Sequence, residues 1–167
     1  MREITPNLCL VIIFILHNYE ELHGFELFKK VYAKFSNGLL GDYDIFRYAI
    51  IFLNTMVILL SIAEYIVENH VTKIIFIVLV FSILINAVQH IVLSVRYQKM
   101  LPGIYTSIIL IIPYFVLLIL TSSVYMTLLR QNFLEILIFS LLTISVSPYL
   151  SLAIGYLSKQ CFKILRK

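Results

Sequence analysis

The 167-residue chain is 61% hydrophobic and only 13% charged, with a mean hydropathy of +0.98. Those proportions exclude a water-soluble globular protein, in which roughly half the residues are apolar and a quarter charged, and they exclude a disordered chain as well. The net charge of +4 is small and no nucleic-acid motif accompanies it, so the expected partner is a lipid bilayer and no nucleic acid.

Crossing the hydrocarbon core takes roughly 20 mostly apolar residues, and five stretches qualify, at about residues 4–27, 45–67, 73–95, 103–129 and 133–157. The expected fold is all-α, a polytopic transmembrane helical bundle of about five spans forming a single integral membrane domain over residues 1–167. Arg2 is the only basic residue before the first apolar run, and Glu20 and Glu21 stand where a small-residue signal-peptide cleavage site would lie, so the first span is expected to stay in the mature protein. In this topology one side carries Arg2, Lys73 and Arg130. The other carries Lys29, Lys30, Lys34, Arg47, Arg96, Lys99, Lys159, Lys163, Arg166 and Lys167. Basic loops stay in the cytoplasm, so the expectation is a multi-pass protein of the cell membrane with its N-terminus outside and its C-terminus cytoplasmic.

The first span carries His17-Asn18-Tyr19-Glu20-Glu21, and ionisable groups in an apolar helix are costly enough to be read as functional. His17, Glu20 and Glu21 stand at i, i+3 and i+4, so they can share a helix face. An imidazole and a carboxylate held at that spacing can give two ligands to one metal ion. His23 reads as a boundary residue. The following loop begins with Lys29, Lys30 and Lys34 interleaved with Val31, Tyr32 and Phe35, the pattern of a short interfacial helix, and Asn37-Gly38 reads as its end. In the second span Asn54 lies mid-membrane, whereas Glu64, Glu68 and His70 read as a solvated helix end with Glu64 the deepest of the three. In the third span Asn86 and His90 are one turn apart, at a depth where His90 could meet His17. Pro113 and Pro148 remove backbone donors from the fourth and fifth spans and are expected to kink them. Tyr43, Phe46, Tyr48, Tyr97 and Tyr105 read as an interfacial aromatic belt. Cys9 and Cys161 fall near opposite membrane faces, which excludes a disulfide between them within one chain.

His17, Glu20, Glu21 and His90 are the candidate metal set, for a divalent ion, zinc or iron, with a coordination position left for water or substrate. Glu20 and Glu21, one as ligand and the other as general base, are candidate catalytic residues together with Asn86, which could polarise a carbonyl or phosphoryl oxygen. Asn54 could add an amide to the same pocket. No serine or cysteine sits in a nucleophile motif, so activated water fits better than a covalent nucleophile. The leading reading is an intramembrane metal-dependent enzyme acting on a lipid-like or small-molecule substrate, its reaction unspecified. Two others stay open. One is a non-enzymatic membrane protein of binding, transport or immunity type, in which the same residues hold a ligand or relay protons. The other is a cluster that only fixes helix register. Nothing in the sequence sets an oligomeric state.

His17-Asn18-Tyr19-Glu20-Glu21, followed by Asn86-Ala87-Val88-Gln89-His90 and then Pro102-Gly103-Ile104-Tyr105-Thr106, resembles the small bacterial membrane proteins named for an HXXEE motif, a family of uncharacterised function. The resemblance covers roughly the first two-thirds of the chain. It implies a multi-span membrane protein whose His and Glu residues form a shared site, and it supplies no reaction. Membrane desaturases, by contrast, bind two irons with many histidines, and the four here, His17, His23, His70 and His90, disfavour that chemistry.

Overall fold

A computed structural model describes residues 5–32 and 42–165. Over them run α1 (Thr5–His23), α2 (Phe25–Tyr32), α3 (Tyr43–Val67), α4 (His70–Tyr97), α5 (Ile104–Thr121), α6 (Ser123–Gln131) and α7 (Phe133–Leu165), with no strand among the described residues. Helices α3, α4, α5 and α7 are each long and apolar enough to cross a membrane, and α1 with α2 makes a fifth candidate bent by 81°. The outer surface is covered by large apolar side chains such as Ile109, Leu117 and Leu134, with Leu120 reaching 72% exposure. Such a surface suits lipid rather than water, and the chain is a membrane-type helical protein.

Local chemistry sets the helix ends. Asp42 caps α3, its carboxylate accepting the Asp44 and Ile45 N–H groups, and Asn69 and Thr72 form a reciprocal capping box on α4. Helix α5 opens at Gly103, whose φ of +89° strains any other residue. Its Ser107–Ile111 turn widens into a π-helix, with the Ile112 N–H reaching back to the Ser107 carbonyl. The widened turn ends just before Pro113, which has no N–H to return to the preceding turn.

Asn18 donates to Asn54 at 2.6 Å near one end of α1, and Asn7 contacts Glu64 near the other, so α1 and α3 are antiparallel. The α3–α4 turn then gives α4 the same sense as α1. Leu10, Phe76, Ile77, Val80, Leu118 and Ile136 join α1, α4, α5 and α7 in one buried cluster. Lipid is as apolar as these side chains, so their association rests on close van der Waals fit rather than on exclusion of water. Helix α7 is fastened at two levels. Ser140 Oγ donates to the Val78 carbonyl of α4 at 3.1 Å, and Gly155 lies so close to α3 that a Cβ would collide with the Ile45 carbonyl.

Three boundaries differ from expectation. The first stretch is not one straight span: it breaks at Gly24, and α2 begins at Phe25 rather than near Phe28. Phe25 and Phe28 pack their rings on Phe46, which is therefore core rather than belt, while Tyr43, Tyr97 and Tyr105 are exposed as a belt requires. Lys34, Phe35 and the expected stop at Asn37-Gly38 lie outside the described residues. The fourth stretch ends at Thr121, because Ser122 is extended and caps α6 as a separate helix. Helix α7 passes through Pro148 without interruption and reaches Leu165, beyond the expected end near 157.

Candidate functional site

His17 and Glu21 stand one turn apart on α1, and α4 presents His90 at the same level because the two helices run in the same sense. His17 is 0% exposed, His90 1% and Glu21 8%. Glu21 Oε1 lies 2.9 Å from His90 Nε2 and 3.5 Å from His17 Nε2. The two imidazoles meet edge to face, their centroids 5.0 Å apart. One ligand atom from each of the three residues falls within 4.8 Å of the others, a spacing suited to a single divalent ion. The expected meeting of His17 and His90 is thus present.

Glu20 faces elsewhere. Its carboxylate accepts the Tyr105 N–H at 3.2 Å, the Thr106 N–H at 2.9 Å and the Thr106 hydroxyl at 2.7 Å. This is a carboxylate on the free N–H groups at a helix start, where the helix dipole favours negative charge. The Thr106 hydroxyl has one proton, and the Glu20 carboxylate at 2.7 Å is a nearer acceptor than the Gly103 carbonyl at 3.2 Å. His17 Nδ1, 2.8 Å from that hydroxyl oxygen, must then be the donor between them. The consequence falls on the other ring nitrogen. Nε2 keeps its lone pair, aimed into the site, where Asn86 Nδ2 approaches to 3.1 Å. Adjacent residues on a helix point about 100° apart, and that angle divides the two glutamates between the imidazoles and the α5 terminus.

Gly103 roofs the histidine pair. A Cβ there would come within 2.7 Å of His17 Cε1 and 3.0 Å of His90 Cε1, so packing and backbone angle both require glycine. His90 Nδ1, facing the same point, has no hydrogen-bond partner among the described residues. Asn86 joins the site as expected. Asn54 does not reach the imidazoles, being held by Asn18, and His23 lies on the exposed side with its ring against Tyr19. A cavity of about 590 Å³ opens beside Glu21, His90, Asn86 and Asn18.

Sequence reasoning gave no role to Asn18, Gly103 or Thr106. A glycine opening a helix with a threonine three residues on was the available signal, since free N–H groups there attract a carboxylate. The reading of Glu64 as part of a solvated helix end is corrected. Glu64 is buried, accepting from Asn7 Nδ2 at 2.5 Å and from the Tyr125 hydroxyl at 2.8 Å, while Asn7 Nδ2 also lies 3.0 Å from the Ser61 carbonyl. Tyr125 reaches it because α6 starts afresh after the break at Ser122. Glu68 and His70 are exposed as read, with Glu68 3.8 Å from Lys73.

The family model described as "Protein of unknown function with HXXEE motif" matches residues 8–118, a stretch that contains every residue of the His/Glu site. No curated protein and no solved structure matches the chain. The chain belongs to the HXXEE-motif family.

Proposed function

We propose that His17, Glu21 and His90 bind one divalent metal ion, zinc or iron, and that the chain is an intramembrane metal-dependent enzyme acting through activated water. The observation that carries this reading is the convergence of three buried ligand atoms, one each from His17, Glu21 and His90, within 4.8 Å of one another. His17 Nε2, left with its lone pair by the Glu20–Thr106 chain, looks at Glu21 Oε1 across 3.5 Å in a buried site. Asn86 Nδ2, 3.1 Å from His17 Nε2, and His90 Nε2, 2.9 Å from Glu21 Oε1, pair with these acceptors in this structure, and the three ligand atoms are close enough to turn to one ion. Two histidines and one carboxylate form the donor set of zinc hydrolases and of non-haem iron oxygenases, which narrows the ion to those two.

Bound there, such an ion would supply a nucleophile at neutral pH by lowering the pKa of a water towards ~7. The chain's own residues then divide the remaining work. Glu20 acts through Thr106 to hold the His17 ring and tautomer, the outer-shell arrangement common to metal-binding histidines. Asn86 offers an amide N–H beside the ligand atoms, positioned to polarise a substrate oxygen. The substrate, lipid-like or small, would enter from the adjoining cavity. A proton pathway through the bundle fits less well, because Leu10, Phe76, Ile77 and Val80 form a buried apolar layer between this site and Glu64.

The test is metal content by inductively coupled plasma mass spectrometry on detergent-purified protein, wild type beside His17→Ala, Glu21→Ala and His90→Ala. Near-stoichiometric zinc or iron, lost in each variant with helical circular dichroism retained, is the expected result. A metal-free wild type that stays metal-free after incubation with zinc or ferrous ion would remove the proposal. The bias of basic residues further leads us to propose that the C-terminus is cytoplasmic. A membrane-impermeant maleimide should then label the exposed Cys161 from that side alone.

A further inference from the structure

The cavity beside the site has a polar band towards one end, flanked there by Phe28, Phe46 and Leu93, and an apolar length beyond it. Glu21, Asn86, Gln89 and His90 line it at one level, and Leu53, Met56, Leu60 and Leu79 line it further along. It lies between α3, α4 and the Thr143–Leu152 stretch of α7, between the two places where α7 is fastened, at Ser140 and at Gly155. Along α4 the distance from His90 to Leu79 is about 16 Å at the helical rise, close to the half-thickness of a ~30 Å hydrocarbon core. The volume of about 590 Å³ is within the range of sites that enclose a ligand of drug size.

We infer that this cavity binds a single-chain amphiphile, an acyl or isoprenoid chain with one small polar head. The head lies against Glu21 and His90, and the tail runs between α3, α4 and α7 towards Leu60 and Leu79. Inside a bilayer an apolar molecule gains little by leaving lipid for a protein cavity, so wall hydrophobicity alone cannot select an occupant. Selection must come from the polar end. Glu21 and the imidazoles reward a hydrogen-bonding head that the surrounding hydrocarbon cannot satisfy. The cavity's length then limits the occupant to roughly one leaflet's chain. The assignment deepens the metal-site reading, on which it rests for the chemistry done at the head.

The experiment uses the full chain in phosphatidylcholine vesicles with two photoreactive long-chain alcohols, one carrying its diazirine next to the hydroxyl and the other at the chain end. Crosslinked positions are mapped by mass spectrometry. The head-proximal probe is expected to mark the α1 and α4 segments around Glu21 and His90, and the chain-end probe the segments around Leu60 and Leu79. Both labels should saturate and be competed by unlabelled alcohol. Filling the cavity from two different walls, with Leu53→Trp or Ile144→Trp, should reduce both to background. Leu120→Trp, on the lipid-facing surface, should leave them unchanged. Labels spread over lipid-facing residues such as Leu120, without saturation, or a reversed head-to-tail pattern, would overturn the assignment. Metal content and melting temperature on the same samples separate the readings. A folded, metal-loaded Leu53→Trp or Ile144→Trp that still labels fully counts against the cavity, whereas saturable labelling of a metal-free wild type counts against the metal site alone.

Discussion

Two carboxylates lie buried near opposite ends of α1, and they are held by different kinds of neighbour. Glu64 receives an amide N–H from Asn7 and a phenol O–H from Tyr125. Both are neutral groups whose donor role is fixed. Glu21 faces two imidazoles, whose ring nitrogens can present either a proton or a lone pair. The first arrangement, beside a pocket lined by Glu68, Lys73, Thr121 and Ser122, is complete as it stands and ties α1, α3 and α6 together. The second relies on groups whose donor and acceptor roles follow from the tautomer that the Glu20–Thr106 chain sets on His17. Burial of a carboxylate therefore does not by itself mark a reactive site, and the kind of neighbour that meets it distinguishes the two regions.

The widest separation between the two regions should appear in metal content. Glu21→Gln keeps the size of the side chain but removes the charge, and near-complete loss of bound zinc or iron is expected from it, measured by mass spectrometry. Glu64→Gln should leave the metal in place. If both variants lost it equally, the two carboxylates would be acting as one system. Stability is expected to respond in the opposite sense. Glu64→Ala leaves the Tyr125 hydroxyl and one Asn7 N–H without their acceptor, at about 1–3 kcal/mol each, so a loss of about 2–6 kcal/mol is expected in thermal or denaturant unfolding in detergent.

A finer test lies within the HXXEE site. Thr106→Val preserves shape and the backbone N–H that Glu20 accepts, but removes the hydroxyl between Glu20 and His17. Loss of such an outer-shell partner typically weakens metal affinity by about 10–100-fold, and Thr106→Ser should restore it. Equal metal affinity in the valine and serine variants would show that His17 does not depend on the relay.

The sequence exposed the spans because some twenty apolar residues in a row admit few other fates. It hid the breaks at Gly24 and Ser122, because a hydropathy average passes over a single residue whose backbone leaves the helical region. The pairing of His17 with His90 was readable from depth alone, since both lie on spans of the same sense. The division of labour between Glu20 and Glu21 was not. The i+3 and i+4 rule puts both near the His17 face, and only the position of the α5 N-terminus, set by the Gly103 turn, determines which one is drawn away. Glu64 was misread for a related reason. Its distance from the helix end suggested solvent, but its burial depends on Tyr125, contributed by a helix that exists only because Ser122 interrupts the fourth span.

A third carboxylate, at the membrane boundary, extends the comparison to a charge in water. Asp42 caps α3 and is paired with Lys159 of α7. The hydrogen bond from the Lys159 ammonium, opposed in part by burial and aided by the Ile45 and Asp44 N–H groups, holds its carboxyl below the ordinary value of 3.8. The folded chain therefore binds this proton less readily than the unfolded chain does. The pair contributes fully at neutral pH and is lost as pH falls below 3.8 through the folded value. Asp42→Asn keeps an N-cap acceptor and removes only the charge. Both partners are more than a third exposed, at 39% and 34% of their side chains, so solvent screens the pair and the melting temperature at pH 7 should fall by only about 1–2 °C. That difference should close as the buffer is acidified below 3.8 and through the folded value. A fall several times larger would mean that headgroups shield this end of α3 and α7 from water, and that the pair belongs energetically with Glu64 and Glu21 rather than with surface ion pairs.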